Sequence, residues 1–197
     1  CQGIGGLQAN TVLLGWPNDE ARAEVFGCNL RLISQLDRSI VALRLRQEMD
    51  DSTESESAAD PWEVPSGTID VWWRGRENGE LMVLLAHLLT LTTEWRHRTI
   101  RLLRIVDNEA AADEVEKHLT SLIVESRIEA DPVVVISEDG EMVGTTIQNW
   151  SKSSAVTLLG FEAPEEGEEH FIFESVERIA GDLPRVLLVD SAGGMHL

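Results

Sequence analysis

Seven short apolar runs punctuate the chain: Thr11–Leu14, Ile40–Leu45, Ile69–Trp73, Ile100–Ile105, Val133–Ile136, Val156–Leu159 and Val186–Val189. Each is too continuous for a strand with one wet face, so all seven are expected to be buried strands of a parallel sheet. Helical periodicity fills the intervals. Val25, Cys28, Leu32 and Leu36 share one face, Val115, Leu119 and Leu122 a second, and Ile172, Val176 and Ile179 a third. Strands alternating with helices predict a doubly wound α/β sheet.

The helix after Gly79 differs, because Leu81 to Ala86 is apolar all the way round. Such a helix is covered on both sides, either deep in the core or between the sheet and another domain or subunit. From Gln47 to Ser66 the pattern lapses into QEMDDSTESESAADPWEVPS, an acidic, serine-rich stretch with two prolines. That composition reads as a mobile linker. Ser52, Thr53, Ser55 and Ser57 sit among acids there, a setting for an acid-directed kinase, although a plain solvated loop explains them on composition alone.

The strands recur. TVLLGW from Thr11 matches VTLLGF from Val156, an offset of 156 − 11 = 145, and IVAL from Ile40 matches VLLV from Val186, an offset of 186 − 40 = 146. A strand-helix-strand unit therefore appears twice in register. The second copy has five strands between Ile69 and Val189, and the first holds only its last two. This predicts residues 1–46 as the C-terminal portion of a first α/β subdomain, 47–66 as the linker and 67–197 as a second, complete subdomain. The first residue is Cys1, not methionine, which points to a piece of something longer.

Length and composition narrow the functional classes. The 197 residues are 43% hydrophobic, enough for a real core. The 35 acidic against 16 basic residues give a formal charge of −19, which should repel nucleic acid and anionic lipid headgroups. Cys1 and Cys28 form neither a disulfide framework nor a CxxC pair and read as free thiols in a reducing compartment. The longest apolar run, Leu81 to Leu91, falls well short of the roughly 20 residues that cross a bilayer.

Candidate chemistry is sparse. GIGGLQANTVLLGWP, Gly3 to Pro17, puts its glycines ahead of a strand, whereas a phosphate loop needs them after a strand and at the start of a helix. Glu165 to His170, EEGEEH, could hold a metal, but acids at a helix start are what the helix dipole favours. Trp150 to Ala155, WSKSSA, sets Ser beside Lys, yet reads as a polar loop entering a strand and not as a nucleophile. His87, His97, His118, His170 and His196 lack ligand spacing. Trp72 and Trp73 should face opposite sides of the sheet as core anchors, or as an interface hot spot. Arg74 and Arg76, beyond that strand's C-terminal end, form the fallback anion site. No catalytic, cofactor-binding or metal residue is assigned.

The stretches GIGGLQANTVLLGWP at Gly3, GTIDVWW at Gly67, ELMVLLAHLLTLTTEWRHRTIRLLRIV at Glu80 and LPRVLLVDSAGG at Leu183 resemble the cytoplasmic C-terminal domain of the cation-chloride cotransporters, prokaryotic relatives in the amino-acid-permease superfamily included. The chain departs from that pattern at Gln8-Ala9, where Lys-Pro is usual, and over Ser137 to Ser154. The resemblance implies a non-catalytic regulatory and assembly domain of two subdomains, each similar to the universal stress protein fold with a mainly parallel five-stranded sheet of order 3-2-1-4-5. It also implies a homodimer through this domain, attachment to a transmembrane domain of the same polypeptide on the cytoplasmic side, no nucleic-acid partner and no direct membrane insertion. The rival that the fold raises is a nucleotide-binding module. Universal stress proteins carry GxxG, a spacer and G with Ser or Thr after the fourth strand, where this chain reads GFEAPEEGEEH from Gly160, and GWPNDEARAEVFGCN in the first copy. Glu162, Glu165, Glu166, Glu168 and Glu169 would oppose a triphosphate there, so no cofactor is expected.

Overall fold

The computed structural model describes residues 10–17, 19–46, 65–137 and 141–193. The glycines Gly3, Gly5 and Gly6, Cys1, the linker up to residue 64 with its Ser/Thr sites, and His196 lie outside them. Every expected strand is present: β1 Thr11–Gly15, β2 Ser39–Leu45, β3 Ile69–Trp72, β4 Ile100–Val106, β5 Asp131–Ile136, β6 Val156–Gly160 and β7 Arg185–Asp190. They form one seven-stranded sheet of order β1-β2-β7-β6-β3-β4-β5. Numbered from β3, the last five strands lie in the order 3-2-1-4-5, as expected.

One expectation fails. β2 and β7 pair antiparallel, whereas every other neighbour is parallel. An apolar run reports burial but not strand direction. The repeat explains the exception. Leu13 pairs with Val41 in the first copy, and Leu158 pairs with Leu187 in the second, each shifted by 145 or 146 residues. At the join Ala42 lies opposite Leu188, its own equivalent, since 188 − 42 = 146. A local two-fold axis thus passes through that pair, and a two-fold axis normal to a sheet must set the strands it relates antiparallel.

Five α-helices cover the two faces: α1 Ala23–Gln35, α2 Arg76–Thr90, α3 Glu109–Ser126, α4 Val143–Ser151 and α5 Phe171–Ala180. Alternation along the strands sorts side chains between them. Trp72, Leu103, Leu159 and Leu188 enter a core shared with α1, α4 and α5. Val71, Leu102 and Leu158 enter a core beneath α2 and α3. Trp72 and Trp73 go to opposite cores and are 6% and 4% exposed, so both are core anchors.

Two helical expectations change. Val25, Leu32 and Leu36 lie on the solvent side of α1, and Ala23, Gly27 and Leu30 face inward. Glycine is needed at position 27 because α1 crosses the backbone of Glu169 so closely that a Cβ there would meet the Glu169 carbonyl oxygen at 2.5 Å. In α5, Ile172 and Val176 are buried while Ile179 is 37% exposed. The segment read as a polar loop, Trp150 to Ala155, begins inside the last turn of α4.

Candidate functional site

In an open α/β sheet, ligands enter where neighbouring strands send their connections to opposite faces, outside the carboxyl ends. Here that place lies between β3, which continues into α2, and β6, which leads to α5. It is closed by the chain itself. Asn78, in the first turn of α2, donates from Nδ2 to the Phe161 carbonyl at 2.9 Å and accepts the Ser191 N–H on Oδ1 at 2.7 Å. Asn78 thereby ties together the ends of β3, β6 and β7.

The electrostatics at this point oppose an anion. Burial pushes the Asp190 carboxyl up, the Ala163 N–H that it accepts pulls the other way, and Glu162 and Glu77 push it up further. A phosphate would face three carboxylates. The fallback anion site does not assemble: Arg74 is exposed, while Arg76 lines a separate cavity of about 130 Å³ between α2 and α3, shared with Glu80 and Glu125.

Because the fold raises the Asp190 pKa, folding favours its protonated form. The stability it lends is full below the ordinary carboxylate range and is lost as pH rises through the raised value. Asp190→Asn keeps an oxygen for the Ala163 N–H and removes the charge. We expect a higher Tm than the parent chain at pH 7 and no difference near pH 3; a lower Tm at pH 7 would show that the carboxylate itself is needed.

The remaining candidates are structural ties. Glu169 is 8% exposed, accepts Arg31 Nε at 2.9 Å and the Gly167 N–H at 2.7 Å, and so joins the loop before α5 to α1. Its own backbone N–H holds its carboxyl low first, with Gly167 and Arg31 adding and burial opposing. Within EEGEEH, Glu169 therefore supplies a cross-repeat ion pair at the start of α5. Among the described residues no three His, Cys, Asp or Glu side chains gather as metal ligands. Arg44, 5% exposed on β2, grips Glu177 through Nε and Nη2 at 2.9 and 2.8 Å and also donates to the Leu183 and Gly181 carbonyls. Trp16, Phe26 and Phe173 stack across the same joint, with ring centroids 4.8–6.1 Å apart.

The first serine of WSKSSA also has a partner. Ser151 Oγ accepts from Trp72 Nε1 at 3.0 Å and donates to Asp70 Oδ2 at 2.7 Å, while Lys152 is exposed. Asp70 is fully buried in the middle of β3 and is held further by Arg101 Nε and Nη2 at 2.8 and 2.6 Å and by Thr68 Oγ1 at 2.7 Å. The hydrogen bonds that Arg101 donates to Asp70 raise the arginine's pKa, with burial opposing. This network explains GTIDVWW: Gly67 holds φ +126° against the Ser153 carbonyl, Thr68 and Asp70 make the polar knot, and the tryptophans anchor both cores.

The model of solute carrier family 12 matches residues 35–155, or 121 of 197. The chain belongs to solute carrier family 12. This member is 27% identical over 147 residues to potassium/chloride cotransporter 3 of Caenorhabditis elegans, covering 74% of the chain and 13% of that relative. It is 24% identical over 143 residues to cation-chloride cotransporter 2 of Oryza sativa subsp. japonica, covering 71% of the chain and 14% of the relative. The chain thus spans a small part of the curated relatives' length. Among solved structures, the crystal structure of the cytoplasmic domain of a prokaryotic cation chloride cotransporter shares the fold, with TM-score 0.63 and 13% identity over 94% of this chain and 65% of that one. In this solute carrier family 12 chain the matched residues run from the end of α1 to the start of β6 and contain the whole Asp70 network. Sequence reasoning quoted that stretch as a motif but missed its chemistry, although an acid inside a buried run followed by an arginine at the paired position of the next strand was the available signal.

Proposed function

We propose that this chain is a non-catalytic regulatory and dimerisation domain of a cation-chloride-cotransporter-like membrane transporter, joined to its transmembrane part and held on the cytoplasmic side. Family membership carries the reading, and the crevice sealed by Asn78 and ringed by Glu77, Glu162 and Asp190 favours it over a nucleotide-binding module. Light scattering over a concentration series should report a reversible dimer, and calorimetry with ATP or AMP should give flat titrations. A monomer at all concentrations would remove the dimerisation role, and saturable nucleotide binding would restore the rival.

We also propose the division into a tail of a first subdomain, a linker and a complete second subdomain. The repeat supports it. Leu158 is fully buried beneath α2, whereas its equivalent Leu13 (13 + 145 = 158) is 73% exposed on the edge strand β1. Likewise α5 is covered by α4, while the outer side of its equivalent α1 shows Val25, Leu32 and Leu36.

A further inference from the structure

We propose that the outward side of the last turns of α2 and the connection into β4, Leu88 to Arg98, form a docking surface for the anionic headgroups of a lipid bilayer. The inference rests on the membrane-attached reading above, which would bring headgroups within reach.

The composition of this segment is exceptional for the chain. Between Leu81 and Val106 there is a single carboxylate, Glu94, against Arg96, Arg98, Arg101, Arg104, His87 and His97, in a chain with 35 acids in 197 residues. Arg101 is committed to Asp70. Arg96 and His97 are exposed and Arg98 half-buried, and none of the ion pairs among the described residues involves Arg96 or Arg98. Beside them Leu88 and Leu91 are 49% and 66% exposed, and Trp95 is half-buried against the core beneath α2. Leucine and tryptophan flanked by arginine suit a bilayer interface, where apolar groups sink and cations meet phosphate.

The fold adds to the patch. Parallel register puts the residues that precede β3, β4, β5 and β6 at one end of the sheet, stitched by Ile69 N–H to the Thr99 carbonyl at 2.9 Å and Ala155 N–H to the Thr68 carbonyl at 2.8 Å. Exposed Arg127 and Lys152 therefore lie at the same end as the arginines, with Glu94, Glu125, Glu129 and Asp131 as the opposing carboxylates and, ahead of β7, Asp182 paired with Arg46. The opposite end carries Glu77, Asp107, Glu109, Glu162, Glu165, Glu166 and Asp190. The net charge of −19 predicts repulsion from headgroups, but at physiological salt a charge is screened within about 8 Å. A bilayer lying against Leu88 to Arg98 would meet Arg96 and Arg98 beyond the reach of the carboxylates at the opposite end.

The test is co-sedimentation of the 197-residue chain with phosphatidylcholine vesicles, with and without about one third phosphatidylserine. Binding should need phosphatidylserine, weaken with salt, and fall about tenfold or more in Arg96→Glu/Arg98→Glu. Arg74→Glu/Arg76→Glu, at the other end, should bind as the parent does. If the first double variant fails to fold, Leu88→Ser/Leu91→Ser and the salt series on the parent chain decide the matter in its place. No preference for phosphatidylserine, insensitivity to these changes, or capture of polyglutamate without capture of vesicles would overturn the proposal. So would binding that appears only after residues 47–64, with their seven carboxylates, are deleted. The dimer measurement is independent, so a dimer that ignores vesicles would sink this inference alone.

Discussion

Asp70→Asn is expected to cost about 3 kcal/mol of unfolding free energy, read by urea denaturation of the 197-residue chain. Asp70 has no exposed surface and accepts four hydrogen bonds, two from Arg101 and one each from Thr68 and Ser151. Asparagine has the same shape but a single acceptor oxygen, and its amide would point N–H groups at a guanidinium or a hydroxyl. Breaking one side of a buried pair typically costs 3–5 kcal/mol. The lower figure applies because the Arg101 side chain is 23% exposed and can recover some hydration. Ser151 would lose its acceptor as well, loosening the end of α4 and the indole N–H of Trp72 that it receives. A double change, Asp70→Leu with Arg101→Leu, should cost less than Asp70→Asn, because it removes both charges together. If Asp70→Asn stays within about 0.5 kcal/mol of the parent, the knot does not hold β3, β4 and α4 together.

The network also marks where sequence reasoning stopped. Apolar runs located all seven strands, and the family resemblance supplied the order of the last five; burial did not follow for β1, whose Leu13 is 73% exposed. Strand direction at the join was not legible, because an apolar run reads the same either way; only the two-fold relation of Ala42 and Leu188 exposes it. The helix α4 was missed because GTTIQNWS combines glycine and β-branched threonines of low helix propensity. Tertiary contact rescues it: Gly144 lies against the Arg178 carbonyl, and Gln148 Nε2 donates to the carbonyls of Arg178 and Ile179. On α1 the quoted apolar residues pointed to the wrong face, since close approach of the Glu169 backbone fixes Gly27, with Ala23 and Leu30, on the inward side. Among candidate site residues, the motifs EEGEEH and WSKSSA were visible, but Arg31 and Asp70, which give Glu169 and Ser151 their work, lie 138 and 81 residues away.

Leu158→Ser should be the most damaging of a matched pair and Leu13→Ser the least, although the repeat makes the two positions equivalent. Leu158 has no exposed surface and packs among Ile69, Val71 and the residues beneath α2, so truncation to a hydroxyl leaves a cavity and an unpartnered polar group costing about 3–5 kcal/mol. Leu13 is 73% exposed, and the same change should move stability by less than about 0.5 kcal/mol. The asymmetry separates two accounts of β1. If its face is simply a solvated edge, Leu13→Ser is neutral in the 197-residue chain and equally neutral in any longer polypeptide that contains it. If β1 is the tail of a first subdomain whose own helix lies over Leu13 as α2 lies over Leu158, the change is neutral in the short chain and costs several kcal/mol, as at Leu158, in the longer one. Thermal and urea melts of both variants in both lengths decide between them, and equal neutrality of Leu13→Ser in the two lengths removes the two-subdomain division.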